Sequence, residues 1–240
     1  MKWWSSLFTE FFRCWFCSSP MRGIVLASAL DHICPVCLEQ VITPGEFICP
    51  VCGRIMPESC NKTCSDCKGI NPCERVVNRS AVMYTDLVKE WVQTFKYRGK
   101  ESLALPMGNW MTEVVKKHYQ EKGISLITFV PMHGERQKQR GFNQAERLAK
   151  VIGKNMRLPV LPLLQREKAT APQSKRTRLE RLLSVDNAFV LAKGLPDRGR
   201  RRETLLIVDD VYTTGATVRA CAKVLRKGGF GQIYAVTFAR

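Results

Sequence analysis

Residues 205–217 read Leu-Leu-Ile-Val-Asp-Asp-Val-Tyr-Thr-Thr-Gly-Ala-Thr, and this stretch decides the fold. Its first four residues are apolar without interruption, which is typical of a central parallel strand covered on both faces. Ligands bind at the carboxyl ends of the strands in such sheets. We therefore expect an α/β fold with Asp209 and Asp210 at the ligand-binding edge.

The residues after the apolar run suit a phosphorylated sugar. Two adjacent carboxylates can accept hydrogen bonds from vicinal hydroxyls or hold Mg²⁺ through water. Gly215 permits close backbone approach, and a helix predicted from about Thr217 presents unpaired N–H groups to a phosphate. The alternative is an ordinary strand, turn and helix with a capping Asp and surface threonines.

This segment resembles the signature of type I phosphoribosyltransferases. The resemblance implies that the acidic pair contacts the ribose hydroxyls of phosphoribosyl pyrophosphate (PRPP) together with Mg²⁺, and that the turn holds the 5-phosphate. The implied PRPP-binding residues are Asp209, Asp210, Thr213, Thr214, Gly215, Ala216 and Thr217.

The chain of 240 residues has a formal net charge of +17, which favours an anionic partner. Nucleic acid, a phosphorylated metabolite and a membrane surface all fit, and simple solubility is the alternative. The length allows a small module and a medium domain, which we expect at residues 1–77 and 78–240. No apolar run approaches the roughly 20 residues of a transmembrane helix, so we expect a cytoplasmic protein, with membrane association left open.

Residues 1–16 are rich in Trp and Phe but include Glu10 and Arg13, unlike a signal peptide. They fit either an interfacial or partner-docking helix or aromatic packing against the body of the protein.

Cysteines cluster before residue 78, and eight of them form Cys-x-x-Cys pairs: Cys14/Cys17, Cys34/Cys37, Cys49/Cys52 and Cys64/Cys67. Two such pairs complete a tetrahedral Cys₄ shell, so the pattern predicts structural Zn²⁺. Disulfides are the alternative, although a cytosolic chain keeps its thiols reduced. Two pairing schemes remain open: 14/17 with 34/37 and 49/52 with 64/67, or 34/37 with 49/52. Cys60 and Cys73 are possible substitutes, and Cys221 is expected as a buried thiol in the helix after the phosphate turn.

The middle of the chain predicts a helix around residues 87–95, a helix at 102–119 and a strand at 124–130. The basic cluster after the first helix, residues 96–100, fits either phosphate contact or the helix dipole. The strand leads into residues 131–140, and the phosphoribosyltransferase resemblance implies a pyrophosphate loop there, with Arg136 and Arg140 as anion contacts. His133 is expected to be structural rather than catalytic.

Residues 140–144, Arg-Gly-Phe-Asn-Gln, open an amphipathic helix through residue 152 and resemble the ComF family of competence proteins. The resemblance covers nearly the whole chain, including the Cys-x-x-Cys pairs, residues 95–99 (Phe-Lys-Tyr-Arg-Gly), Pro131, Pro172-Gln173 and the stretch at 209–217. Residues 167–183 form a basic segment that fits a mobile flap or a solvated loop. Strands are predicted near 188–191 and at 232–238, which gives a mostly parallel sheet with flanking helices.

The ComF resemblance implies a role in natural transformation, with single-stranded DNA handled at the inner face of the membrane alongside DNA-uptake machinery. Tyr97, Phe142 and Trp110 lie among basic clusters and fit either base stacking or the core. We expect a ComF-type protein that binds single-stranded DNA and PRPP. An active phosphoribosyltransferase with an unidentified base and a PRPP-sensing regulator are the alternatives, because no segment is assignable to an acceptor base.

Overall fold

The structure, a computed structural model, describes residues 10–23, 33–58, 62–97, 100–167, 188–193 and 203–240. Its main sheet has four parallel strands in the order β3-β8-β7-β4. These are β3 (Val77–Val82), β4 (Ile124–Phe129), β7 (Thr204–Val211) and β8 (Ile233–Ala239). The predicted α/β class, a mostly parallel sheet with flanking helices beside an N-terminal Cys-rich module, is confirmed.

The apolar run of β7 explains its central position. Residues 205–208 are fully buried, and Val208 aligns with Val236 of β8 on one side and with Phe129 of β4 on the other. A strand with neighbours on both edges satisfies all its backbone groups within the sheet. Consequently the carboxyl ends of β4, β7 and β8 lie along one edge, which we call the carboxyl edge.

Helices in the connections between the strands cover the sheet. Helices α4 (Ala104–Tyr119) and α6 (Gln144–Met156) pack against each other and against the sheet. They approach closely because Gly108 has no side chain: a β-carbon there would lie 2.6 Å from Cβ of Val151. The remaining helices are α1 (Pro35–Glu39), α2 (Ser65–Lys68), α3 (Asp86–Tyr97), α5 (Gly134–Arg140) and α7 (Ala216–Lys227), with 3₁₀ turns at Pro72–Glu74, Glu101–Leu103 and Gln120–Lys122. In the described part of the chain, no helix is long and apolar enough to cross a membrane.

A small antiparallel pair flanks the segment predicted as a flap. Strand β5 (Leu164–Arg166) pairs with β6 (Phe189–Leu191), which confirms the strand expected near 188–191. The basic residues of the flap, from Lys168 to Arg181, lie outside the described residues, as do Cys60, Pro172 and Gln173.

The aromatic N-terminus is not helical where the structure describes it. Strand β1 (Glu10–Arg13) pairs antiparallel with β2 (Pro20–Gly23), which contradicts the helix interpretation for these residues. Phe16, after β1, stacks on Trp91 of α3 with ring centroids 3.7 Å apart. Packing against the body is thus the correct alternative for this part, while residues 1–9 lie outside the described residues.

The Cys-rich module is joined to the sheet through β3. The Asn78 N–H donates to the Val51 carbonyl at 2.7 Å, and the Arg79 guanidinium donates to the Pro50 carbonyl at 3.2 Å. The Asn78 amide is buried and donates to the hydroxyl of Ser80 at 3.1 Å. One backbone hydrogen bond and one from the Arg79 side chain therefore anchor the turn around Cys49 and Cys52 to a strand of the main sheet.

Gly53 is the residue on which this docking depends. Its φ is +72°, and a β-carbon there would lie 2.9 Å from the Asn78 carbonyl oxygen. Replacing it with Ala imposes left-handed backbone strain and a backbone clash, so we expect Gly53→Ala to lower the free energy of unfolding by about 1–3 kcal/mol. Urea unfolding of the full chain measures this loss.

Gly45→Ala is the matched control, because no atom lies within 4 Å of a β-carbon at that position. It is expected to leave the urea midpoint unchanged. Equal stability of the Gly53 and Gly45 variants would contradict the docking role of Gly53.

Candidate functional site

The two acids of the predicted site, Asp209 and Asp210, lie near the carboxyl end of β7. This strand continues to Val211, beyond the apolar run that ends at Val208. Asp210 is 9% exposed, and its carboxylate forms an ion pair with the Lys96 ammonium at 2.7 Å. The Asp209 carboxylate accepts a hydrogen bond from the Asp210 N–H at 2.9 Å. The carboxylates therefore differ in environment: Asp210 is neutralised by a lysine, while Asp209 is held by backbone.

This difference appears in the protonation of Asp209. Burial and the negative charge of Asp210 raise the pKa of Asp209 to about 7, although Lys96 and Arg166 act in the opposite direction. Asp209 therefore titrates near neutral pH in the ligand-free protein. A cation placed beside it would favour its ionised form.

The turn after the acids has the geometry of a helix amino terminus. Gly215 adopts φ +71°, and α7 begins at Ala216, one residue before the predicted start. A β-carbon on Gly215 would collide with the Tyr212 ring, so this position requires glycine. The Thr214 hydroxyl accepts a hydrogen bond from Ala216 N–H at 3.4 Å. No acidic residue lies in the first turn of α7, which leaves its positive dipole end uncompensated by a carboxylate of that turn.

Residues 131–140 are not a simple loop, which corrects the sequence expectation. They contain α5, whose amino terminus is capped by His133: its Nδ1 accepts a hydrogen bond from Glu135 N–H at 3.4 Å. The structural role expected for His133 is therefore the one observed. Arg136 and Arg140 are four residues apart on α5, so they project from the same face of the helix.

Arg140 contacts the end of α3. Its guanidinium donates to the Tyr97 hydroxyl at 2.8 Å, lies 4.6 Å from the centroid of the Tyr97 ring and donates to the Gln144 side-chain oxygen at 3.4 Å. Lys96, the neighbour of Tyr97, holds Asp210. The last turn of α3 thus touches both predicted halves of the site, the acids and the pyrophosphate segment.

Two cations of the candidate site, Lys96 and Arg166, were not identified as site residues from the sequence. Lys96 belongs to the basic cluster for which phosphate and helix-dipole interpretations were both open, and its partner is instead a site carboxylate. Arg166 of β5 carries no sequence signal at all. Its pKa is lowered by burial and by the charge of Arg136, and Asp209 acts on it in the opposite direction. Arg136, Arg166 and Asp209 therefore share one electrostatic environment.

A cavity of about 600 Å³ opens beside these residues. Its wall combines apolar and polar groups from β4, α6 and β5, among them Phe129, Pro131, Asn143, Lys150, Leu164 and Arg166. The carboxyl edge therefore offers concave space as well as charge.

The predicted cysteine ligands form two groups of four, Cys14/Cys17/Cys34/Cys37 and Cys49/Cys52/Cys64/Cys67. Within each group the sulfurs lie within 4.8 Å of one another. This grouping matches the first pairing scheme and rules out the second. Cys73 is exposed and belongs to neither group, and none of the ten described cysteines forms a disulfide.

Sulfur geometry supports a tetrahedral metal in both groups. Cys17 and Cys34 Sγ are 3.5 Å apart, Cys14 and Cys37 Sγ 3.9 Å, and Cys52 and Cys64 Sγ 3.6 Å. Four sulfurs at roughly 2.3 Å from zinc are about 3.8 Å apart, so both sets could hold the ion.

The second cysteine group lies close to the turn at Gly215. Burial raises the pKa of Cys52 to about 11, and the nearby Arg240 guanidinium opposes this rise. Arg240 in turn lies 4.8 Å from the ring centroid of Tyr212, the residue packed against Gly215. The thiol of Cys221 in α7 is buried, as expected, and burial raises its pKa.

Comparison with solved structures finds a weak likeness. Adenine phosphoribosyltransferase from Leishmania tarentolae aligns at a TM-score of 0.35 and 9% sequence identity, covering 61% of this chain and 74% of that one.

No family model matches the chain. Curated relatives do match along most of its length. Competence protein ComFC of Streptococcus pneumoniae is 27% identical over 95% of this chain and 100% of its own, and DNA utilization protein YhgH of Escherichia coli K12 is 29% identical over 90% and 91%. Competence protein ComFC of Bacillus subtilis is 31% identical over 91% of this chain and 88% of its own. With this identity across nearly the whole of both sequences, the chain belongs to the ComF family of competence proteins.

Proposed function

We propose that this chain is a DNA-uptake protein that binds single-stranded DNA and a PRPP-like sugar phosphate. Its relatives are named as competence and DNA utilization proteins, which supports a role in taking up or using DNA. The observation that carries the sugar-phosphate part is the juxtaposition of an acid pair, a helix amino terminus and several cations at one sheet edge. The protein would act in the cytoplasm, alongside uptake machinery at the inner face of the membrane.

The residues at the carboxyl edge have the chemistry that PRPP requires. Asp209 and Asp210 provide acceptors for ribose hydroxyls and hard oxygen ligands for Mg²⁺, which would neutralise the diphosphate charge. The turn from Thr213 to Thr217 provides hydroxyls and helix N–H groups for the 5-phosphate. Arg136 and Arg140 lie on one face of α5 and suit the pyrophosphate.

The same cations suit a nucleic-acid backbone. Single-stranded DNA is held largely by lysine and arginine contacts to phosphates, and the net charge of +17 provides long-range attraction. Lys96 pairs with Asp210, and Arg166 acts electrostatically on Asp209. Arg136 acts on Arg166, and Arg140 contacts Tyr97, the neighbour of Lys96. The basic segment after β5 continues from Arg166 along the chain.

Zinc in this proposal is structural. Both cysteine groups supply four sulfurs and leave no open coordination position, so each would stabilise its fold rather than catalyse a reaction. The metals belong to the module that we propose at residues 1–77, and the ligand site belongs to the domain at 78–240. Zinc binding would therefore couple directly to folding of the module.

Two zinc ions per chain are expected by elemental analysis of the purified protein. Replacing Cys49 and Cys52 with Ser removes half of one ligand set, so this variant should retain about one ion, because a Cys₂ remnant binds far more weakly. Cys73→Ser is the control and should retain both ions, since Cys73 belongs to neither group. A wild-type protein free of metal, with its cysteines in disulfides, would refute this part of the proposal.

Mg²⁺-PRPP is expected to raise the melting temperature of the wild-type protein. A ligand at about 100 times its Kd adds roughly 2.7 kcal/mol, or several degrees for a chain of this size. Asp209→Asn combined with Asp210→Asn should abolish the shift, because it removes both carboxylates. Glu113→Gln with Glu121→Gln, which neutralises two exposed acids elsewhere, should leave the shift intact. A full shift in the Asp209/Asp210 variant would rule out this site.

The pH dependence of the ligand-induced stabilisation tests the role of Asp209. Because the pKa of Asp209 is raised to about 7, ligand-induced stabilisation should weaken as pH falls through about 7. In the ligand-free protein the sign is opposite: ionising Asp209 costs stability, which is full below its unfolded pKa of about 4 and lost as pH rises through about 7. Asp209→Asn alone should therefore raise the ligand-free melting temperature around pH 8 and not around pH 4.

Single-stranded DNA binding should depend steeply on salt. Fluorescence anisotropy with a labelled oligonucleotide between about 50 and 200 mM salt measures the slope of log K against log salt, to which each phosphate contact contributes about 0.7. Arg136→Gln with Arg140→Gln should reduce the slope by roughly 1.4. Lys122→Gln with Lys154→Gln removes the same charge from exposed positions on other elements and should change it less. Absence of salt-sensitive binding by the wild type would refute the DNA part.

A further inference from the structure

Tyr97 is an exposed aromatic residue that is nevertheless held in place. Its side chain is 66% exposed at the end of α3. The hydroxyl accepts a hydrogen bond from Arg140 at 2.8 Å, and the same guanidinium lies 4.6 Å from the ring centroid. The ring therefore has a defined position although most of its surface faces solvent.

The other two aromatics considered for base stacking are committed to the interior. Phe142 is 7% exposed and packs against Phe95 with centroids 5.5 Å apart. Trp110 is partly buried and packs edge-on against Phe238 at 6.3 Å. Of these three candidates, Tyr97 alone offers its ring to a ligand.

Tyr97 also lies next to charged groups of the proposed site. Lys96, whose Cα is about 3.8 Å away along the chain, pairs with Asp210. Arg140, the partner of the Tyr97 ring, belongs to the segment that suits pyrophosphate. The Tyr97 ring thus contacts one of the two arginines proposed for the pyrophosphate, and its neighbour in the chain contacts the acid pair.

We infer that Tyr97 and Arg140 form a stacking subsite for a nucleobase whose sugar phosphate lies at the acid pair and the phosphate turn. This rests on the proposed sugar-phosphate site. Base stacking on an aromatic ring tolerates every base, and an arginine beside the ring adds cation–π attraction. The ligand chemistry is a nucleoside phosphate, whether a free mononucleotide or one unit of a single strand.

The experiment compares ligands with and without a base. One pair is uridine 5′-monophosphate and ribose 5-phosphate, which share the same sugar. The second pair is an oligothymidylate of about eight nucleotides and an abasic oligomer with the same number of phosphates. Calorimetry and anisotropy on the full zinc-loaded chain give the affinity ratio within each pair, which isolates the base from the phosphates.

Two variants of Tyr97 and one control distinguish the role of the ring from that of its hydroxyl. Tyr97→Leu should reduce the base-dependent ratio by about fivefold or more, because it removes the stacking surface. Tyr97→Phe keeps the ring and loses the bond to Arg140, so it should keep the ratio while weakening ligands with and without base alike. Tyr84→Leu removes another exposed tyrosine, beyond the far end of α3, whose 12 residues span about 18 Å, and should change neither quantity.

The outcomes distinguish failure of the stacking subsite from failure of the proposed function. Base dependence limited to the oligomers assigns the subsite to single-stranded DNA, and base dependence in both pairs assigns it to nucleotides generally. If the wild type binds the mononucleotide through Tyr97 and no oligomer, the DNA function fails while the subsite stands. Equal affinities within both pairs, or an unchanged ratio in Tyr97→Leu, overturn the subsite while leaving phosphate binding intact.

Discussion

The ion pair between Lys96 and Asp210 connects the two parts of the molecule on which the site depends. It joins the last turn of α3 to the end of the buried strand β7, with a separation of 2.7 Å and little exposure of either side chain. Removing one partner of such a pair leaves an uncompensated charge in a poorly solvated place, which is far more costly than losing a surface pair. The pair also limits repulsion between the adjacent acids. Without Lys96, the charge of Asp210 would raise the pKa of Asp209 further.

The Cys-rich module contacts, at two places, the elements that carry the proposed ligand site. Phe16, which neighbours Cys17 of the first cysteine group, stacks on Trp91 of α3, the helix that carries Lys96 and Tyr97. The second group lies beside Arg240, which covers the Tyr212 ring beneath Gly215. Each proposed zinc centre therefore supports one half of the proposed ligand site. A small module with little apolar core would gain rigidity from the proposed zinc ions, and these contacts would extend that rigidity to the carboxyl edge.

Much of this arrangement could be predicted because its signals are contiguous. The strand at residues 205–208, the turn at Gly215 and the four Cys-x-x-Cys pairs each occupy a short stretch whose residue types have a direct physical meaning. Strand β3 escaped prediction because Asn78 and Ser80 are polar and buried. Their partners include residues distant in the chain, such as Thr237 of β8, whose hydroxyl lies 2.8 Å from that of Ser80. Helix α5 consists almost entirely of polar residues and depends on the cap from His133. The roles of Lys96 and Arg166 arise only when distant strands and helices are brought together.

The carboxyl edge gathers charges that a purely structural arrangement would have separated. Two acids are adjacent at the end of β7, and Arg136 and Arg166 are close enough that the positive charge of Arg136 lowers the pKa of the Arg166 guanidinium. Like charges held together cost folding free energy, and a fold keeps them when a ligand relieves the repulsion. The carboxylates attract a cation and hydroxyl donors, while the arginines attract an anion. A sugar phosphate accompanied by a divalent cation supplies all of these at once, and a phosphate backbone alone supplies only the anion. The acid pair therefore supports the proposed sugar phosphate as the ligand at the centre of the site, and leaves the cations and the aromatic ring for the proposed nucleic-acid contacts.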